Sequence, residues 1–158
     1  MKKSLVCIAS RIDDGVALAR EAEAAGFDAI WATEFHNRDV YTWMTAMGLA
    51  TSRIAIGSGI AYAFARPPVL VAAAAADVDE VTNGRAILGL GTGTQRKNES
   101  WYGLPFEKPA SRMREAVEVI RATWAAAGGP RMRFEGEHWN LDIETFRRPG
   151  LARERVPI

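Results

Sequence analysis

Cysteine is nearly absent from this chain. Cys7 stands alone among 158 residues, so no intrachain disulfide can form, and a reducing, cytoplasmic setting is the expectation. Histidine is scarce as well. With only His36 and His138, no Cys/His cluster has the spacing of a zinc site, and no metal is expected. No serine, histidine and aspartate set sits in the sharp-turn context of a hydrolase nucleophile. An excess of charge of either sign is also missing: 20 Lys and Arg face 19 Asp and Glu, a net charge of +1. That balance gives no field to hold nucleic acid or an anionic membrane. Long apolar runs are lacking too. Val69–Ala76 is the longest, far below the roughly 20 residues that span a bilayer. Lys2 and Lys3 precede Leu5–Ala9, but that run is too short for a signal peptide, and Arg11, Asp13 and Asp14 follow at once. No repeat, linker or low-complexity segment divides the chain, so residues 1–158 read as one domain.

What is present is an ordinary globular balance, 48% hydrophobic and 25% charged, arranged in alternating blocks. Leu5–Ala9, Ala29–Ala32, Ile54–Ile60 and Ala86–Leu90 are short apolar runs of strand length, without alternation. Continuous apolar strands separated by amphipathic helices predict a parallel sheet covered on both faces. Asp13 or Asp14 can cap the first helix, which places Leu18, Ala22 and Ala25 on one face and stops at Gly26. The second starts near Val40, with Val40, Trp43, Met44, Met47 and Gly48 at helical spacing. Pro67 and Pro68 suit the first turn of a third, which ends at Asn83-Gly84. Ser111 caps a fourth, with Met113, Ala116, Val117, Ile120 and Trp124 on one face and Gly128, Gly129 and Pro130 closing it. Thr92–Pro109 reads as a long loop, and Met132–Leu141 as a hairpin turning at Glu135-Gly136-Glu137.

Strand starts near residues 4, 29 and 54 recur about every 25 residues, and Val156-Pro157-Ile158 opens another apolar run. The predicted fold class is therefore α/β with parallel strands: the first half of a (β/α)8 TIM barrel, reaching the start of strand 5. A complete barrel takes about 250 residues. The competing open, doubly wound sheet would place a glycine-rich phosphate loop after strand 1, and Ser10-Arg11-Ile12-Asp13 is not one.

Barrel enzymes carry their chemistry at the carboxyl ends of the strands. After strand 2 the chain reads Thr33-Glu34-Phe35-His36-Asn37-Arg38, an acid and an imidazole where the strand emerges. Two residues apart in an extended segment, Glu34 and His36 would face the same way, and an imidazole titrating near pH 6.5 suits proton transfer. The plain alternative is a surface loop with a locally bonded histidine. After strand 3, Gly57-Ser58-Gly59-Ile60 allows a bulge or the close approach of a flat ligand, or simply a tight strand exit. After strand 4, Gly89-Leu90-Gly91-Thr92-Gly93-Thr94-Gln95 falls short of a dinucleotide fingerprint: position 94 is Thr, and no helix is expected to start at once. Its backbone N–H groups and hydroxyls can still meet an anion or a ring carbonyl. Trp101, Tyr102 and Phe106 can wall a pocket or pack the loop on itself, and His138 in the hairpin reads as structural or exposed.

Taken in order, Gly26-Phe27-Asp28-Ala29-Ile30-Trp31, Thr33-Glu34-Phe35-His36, Gly57-Ser58-Gly59-Ile60 and Gly89-Leu90-Gly91-Thr92-Gly93 form a series that resembles the luciferase-like monooxygenase superfamily. It looks closest to the members that use the deazaflavin coenzyme F420. The resemblance implies a (β/α)8 barrel that binds F420, or alternatively FMN, at its C-terminal face. It implies a non-proline cis peptide at Gly59-Ile60 supporting the ring, cofactor binding by Ser58, Gly59 and Ile60, an acidic role near the ring for Glu34, and a cofactor-lining strand-4 exit at Gly91, Thr92 and Gly93. His36 lies one residue from the active-site histidine of some deazaflavin members and is the candidate catalytic base with Glu34. The activity implied is hydride transfer between F420 and a small organic substrate. The alternatives are an FMN-dependent monooxygenase using O2 and a non-catalytic half-barrel that binds a flavin-like ligand or a partner chain. The phosphate loops after strands 7 and 8 are not among these residues. Four βα units with open sheet edges are therefore expected to self-associate as a homo-oligomer and to hold the cofactor weakly.

Overall fold

The computed structural model describes residues 3–129, 131–144, 152–153 and 155–158. In chain order its elements are β1 (Ser4–Cys7), α1 (Ile12–Ala24), β2 (Ala29–Ala32), α2 (Val40–Leu49), β3 (Ala55–Ser58), β4 (Ala61–Tyr62), α3 (Pro68–Val81), β5 (Ala86–Ile87), β6 (Leu90–Gly91), α4 (Gln95–Tyr102), α5 (Pro109–Ala125), β7 (Met132–Glu135) and β8 (Asn140–Ile143). They fall into two compact units, residues 1–61, 75–90 and 156–158 in the first and residues 62–74 and 91–155 in the second.

The first unit is built on a sheet of order β1-β2-β3-β5, every pairing parallel, as the apolar strands predict. Register places Leu5, Ile30, Ile56 and Ala86 in one row and Val6, Trp31, Gly57 and Ile87 in the next. Successive side chains of a strand point to opposite faces, so the two rows line opposite sides of the sheet. The first row faces the helices: Ile30 and Ile56 are fully buried, and a Cβ on Gly48 of α2 would lie against Ile56. Burying each isoleucine is worth roughly 1.5–3 kcal/mol. The second row is less covered. Val6 is 50% exposed, and Ile8 beyond it 72%, so the expectation of a sheet covered on both faces fails at β1.

Helix α2 begins as the sequence implies. Asp39 is its cap, accepting from the Thr42 N–H at 2.8 Å, and Val40, Trp43, Met44, Met47 and Gly48 are buried, with Tyr41 beside them. Helix α1 departs from expectation in two ways. Neither Asp13 nor Asp14 caps it; Arg11 occupies the cap position without a side-chain bond, and both acids lie in the first turn, where they complement the positive end of the helix. Its buried stripe is Gly15, Ala19 and Ala22, while Leu18 is only half-buried and Ala25 is exposed. The Trp43 ring fills the space a Cβ on Gly15 would need, so the helix packs through its smallest residues.

Two charged side chains fasten the loops on the amino side of the strands. The Glu23 carboxylate accepts from the N–H groups of Ser52, Arg53 and Ile54, three consecutive residues leading into β3. The Arg85 guanidinium donates to four main-chain carbonyls: Thr82 at 2.7 Å, Ile54 at 2.7 Å, Gly48 at 2.8 Å and Thr51 at 3.0 Å. Asn83 and Gly84 both have positive φ and end α3 where the sequence places its stop. Val156 is buried, and the Leu88 N–H donates to the Pro157 carbonyl at 2.9 Å, so the last apolar run lies beside the fourth strand.

In the second unit, the supposed loop Thr92–Pro109 contains α4. Thr94 caps this helix by accepting from the Lys97 N–H, and Gly103 ends it in the left-handed region at φ 64°. A helix does therefore follow the glycine-rich turn at once, contrary to the sequence reading. Ser111 is not the cap of α5. The helix starts at Pro109 behind Lys108, and the Ser111 hydroxyl donates to the Lys108 carbonyl from inside the first turn. Its buried face holds Ala116, Ile120 and Trp124 as expected, with Glu115, Val119 and Thr123 in place of Met113 and Val117. The Trp124 indole donates to the Ala72 carbonyl at 2.9 Å.

The β7–β8 hairpin is antiparallel, with its turn closed by the Gly136 N–H donating to the Trp139 carbonyl at 3.0 Å. The buried Glu115 carboxylate accepts from the N–H groups of Glu137, His138 and Trp139. A side chain at Gly136 would collide with that carboxylate. Gly128–Gly129 follow α5 as predicted, whereas Pro130 lies outside the described residues. Among the described residues no helix is long and apolar enough to cross a membrane.

Candidate active site

At the β2 exit the chain turns sharply. Phe35 and Arg38 exchange main-chain hydrogen bonds of 3.3 and 3.0 Å, which puts His36 and Asn37 at the tip of a tight turn. The segment is not extended there, so Glu34 and His36 do not share a face: Glu34 is buried and His36 is exposed. Arg38, passed over in the sequence, organises the turn. It donates to the Thr33 hydroxyl at 3.2 Å and to the Ala9 carbonyl, and its guanidinium carbon sits 4.1 Å from the centre of the Trp43 ring. Thr33 in turn donates to the Cys7 carbonyl at 3.2 Å. One cation thus ties the ends of β1 and β2 together under the residues offered for proton transfer.

At the β3 exit the Ser58 side chain is 1% exposed and fully engaged. Its hydroxyl donates to the Gly89 carbonyl and accepts from the Gly89 N–H, both at 2.9 Å. The approach is so close that a Cβ on Gly89 would strike the Ser58 carbonyl oxygen. This is why the predicted strand Ala86–Leu90 divides into β5 and β6. Gly89 is the break, its carbonyl also accepting from the Ala61 N–H at 2.8 Å. The Gly59 N–H donates to the Ala32 carbonyl at 2.7 Å, and the Gly59-Ile60 peptide is cis, as the resemblance implies. The Trp31 ring lies where a Cβ on Gly57 would stand, and its Cβ is 3.2 Å from a Cβ built on Gly59. With Ser58 turned inward, Gly59 and Ile60 are partly exposed at the strand end.

The β6 exit belongs to the second unit. The Gly91 carbonyl accepts from the Ala63 N–H at 3.0 Å. Thr92 donates from its hydroxyl to the Gly93 carbonyl, and Gly93 sits at φ 68° against the Tyr62 ring. Two residues unmarked in the sequence shape this turn. Buried Asn98 donates to the Thr92 and Thr94 carbonyls at 2.8 and 2.9 Å, and Lys97 donates to the Tyr62 hydroxyl at 3.2 Å with the Trp101 ring 5.0 Å away. The only sequence hint was the spacing from Thr94 to Lys97, which is a helix start. Among the described residues no group of His, Cys, Asp and Glu could hold a metal ion.

Parallel strands joined by helices, with glycine-rich turns at successive carboxyl ends, are the arrangement of the first half of a (β/α)8 barrel. The chain belongs to the luciferase-like monooxygenase family, whose model matches residues 4–158. A Mycobacterium tuberculosis protein, whose name proposes a coenzyme F420-dependent oxidoreductase, is 35% identical over 141 residues, 89% of this chain and 40% of its own. A 5,10-methylenetetrahydromethanopterin reductase of Archaeoglobus fulgidus is 39% identical over 117 residues, 73% of this chain and 34% of its own. Among solved structures, the coenzyme F420-dependent tetrahydromethanopterin reductase of Methanopyrus kandleri superposes with a TM-score of 0.79 at 27% identity, covering 92% of this chain and 46% of that one. A monooxygenase from Streptomyces bottropensis, with a TM-score of 0.85 over 99% of this chain and 52% of its own, is 21% identical and shares the fold. The chain thus spans 34–40% of the length of these sequence relatives and 46–52% of these solved chains.

Proposed function

We propose that these residues form the first four strand exits of a deazaflavin-dependent oxidoreductase that transfers hydride between coenzyme F420 and a small organic substrate. One observation carries the reading: the reciprocal Ser58–Gly89 bond turns the only side chain between Gly57 and Gly59 inward and leaves a fixed, side-chain-free edge at the end of β3. Such an edge fits a flat, rigid ring, because a Cβ at Gly57 or Gly59 would crowd Trp31. The deazaflavin, when bound, supplies the hydride chemistry. Gly59 and Ile60 support its ring through the main chain. Ser58 acts as a positioning residue, holding that edge without touching the ligand. Buried Glu34 and exposed His36 divide the proton handling, with His36 exchanging with solvent. The F420-dependent names among relatives above 25% identity favour the deazaflavin over FMN.

Fluorescence titration with F420 and with FMN tests this. F420 is expected to bind more tightly, and Gly59→Val is expected to weaken it about tenfold or more by placing a branched side chain on the edge. FMN binding as tightly as F420, or Gly59→Val leaving the affinity unchanged, would overturn the deazaflavin reading. In a preparation with turnover, His36→Ala is expected to lower kcat by about 10²–10⁴ with little change in cofactor affinity.

A further inference from the structure

The second unit contains a cavity of about 500 Å3 that none of the strand-exit residues lines. It opens between the approach to α5 (Pro105, Glu107, Lys108), Arg112 on that helix, and the hairpin turn Glu137–Trp139. Ligand pockets commonly run from about 300 to 1,000 Å3. A smaller cavity of about 260 Å3 shares Arg112 and Trp139 and is otherwise largely apolar, with Phe64, Pro67 and Leu104 on its walls. Arg112 and Trp139 therefore line both spaces.

The charges around the larger cavity are unevenly matched. Lys108 and Glu137 form an ion pair with each other, and Glu107, the other acid of the lining, also acts on Lys108. His138 is held by the Ser111 hydroxyl, its Nε2 at 2.9 Å. Arg112 is stacked, its guanidinium carbon 4.4 Å from the Phe64 ring centre and 5.8 Å from that of Trp139. Among the described residues its hydrogen bond is a single one, to the Pro105 carbonyl at 3.2 Å, and it pairs with no carboxylate. Burial lowers its pKa below the ordinary arginine value, as for a cation partly stripped of water. An arginine fixed by aromatic stacking, with spare N–H groups, is suited to a planar anion that accepts two parallel hydrogen bonds.

We propose that this cavity is a binding site for a small aromatic carboxylate, its carboxylate on the Arg112 fork and its ring against Trp139. The inference does not rest on the deazaflavin reading. Calorimetric titration of the chain with 2-naphthoate tests it, with 2-naphthamide as the neutral isostere and cyclohexanecarboxylate as the non-aromatic acid. Saturable binding of 2-naphthoate is expected, with each comparator at least about tenfold weaker. Arg112→Met and Trp139→Leu are expected to weaken 2-naphthoate about tenfold or more. Arg112→Lys, which keeps the charge and loses the fork, should weaken it several-fold while preserving the fold by circular dichroism, and it decides the matter if the Met variant fails to fold. No saturable binding, equal binding of the amide, or an unchanged affinity in folded Arg112→Lys would overturn the proposal. Displacement of 2-naphthoate by F420 would also overturn it, by merging the cavity with the cofactor site.

Discussion

At the scale of single residues, the chain repeatedly solves one problem: a loop with several main-chain groups is satisfied by one charged or polar side chain. Glu23 has the clearest energetic consequence. Burial raises the pKa of its carboxyl, but the N–H groups of Ile54, Arg53 and Ser52 outweigh burial and hold it at about 2 against an ordinary 4.5. A folded-state value below the unfolded one contributes stability that is complete above about pH 4.5 and is lost as pH falls toward 2. Urea midpoints measured between pH 6 and pH 2.5 should therefore drop more steeply for the natural chain than for Glu23→Gln, whose amide does not titrate. The strand-exit residues were legible in sequence as types, since Gly59, Ile60, Gly91 and Thr92 stand at strand ends. Their working partners were not. Nothing in the spacing of Ser58 and Gly89, or of Arg38 and Ala9, announces a contact made only once the strands are side by side. The pairing of Glu34 with His36 failed for a local reason: the Phe35–Arg38 turn breaks the two-residue alternation on which it depended.

At the scale of elements, local patterns were read well where one stripe of large side chains decides burial, as in α2, and poorly where small residues do, as in α1. The missed helix α4 is short, with a polar sequence and no apolar stripe to mark it; its Thr94 cap and Gly103 stop are what define it. The hairpin was legible from its Gly136 turn, but the reason it holds its place is Glu115, which lies 24 residues before its last N–H partner, Trp139, and meets it only through the fold. Glu115→Ala removes the acceptor of three consecutive main-chain donors and is expected to destabilise the fold by about 2–3 kcal/mol. Urea unfolding would measure this. Amide chemical shifts of residues 137–139 should move together, and an unchanged midpoint would show that water replaces the carboxylate without penalty.

At the scale of the molecule, the parallel direction of the strands followed from their apolar runs, whereas their register came only from the structure, and β1 lies at one end of its sheet. Val6 is exposed on β1, the end strand of its sheet, and Ile8 is exposed just beyond that strand. An apolar edge of this kind templates pairing with another chain. Sedimentation velocity is expected to show mass rising with concentration, and Val6→Lys with Ile8→Lys is expected to reduce it; a monomer at all concentrations would argue against a second copy as partner. The Arg85 node has a further consequence, which concerns time. Its carbonyl partners Gly48, Thr51 and Ile54 precede it by 31–37 residues. During synthesis the end of α2 and the loop into β3 emerge well before the guanidinium that gathers them. Translation at about 5–20 residues per second leaves that corner without its fastening for some seconds. The first βα units are thus completed by a residue that arrives after them, and a nascent chain halted before residue 85 should remain open to proteases at residues 48–54.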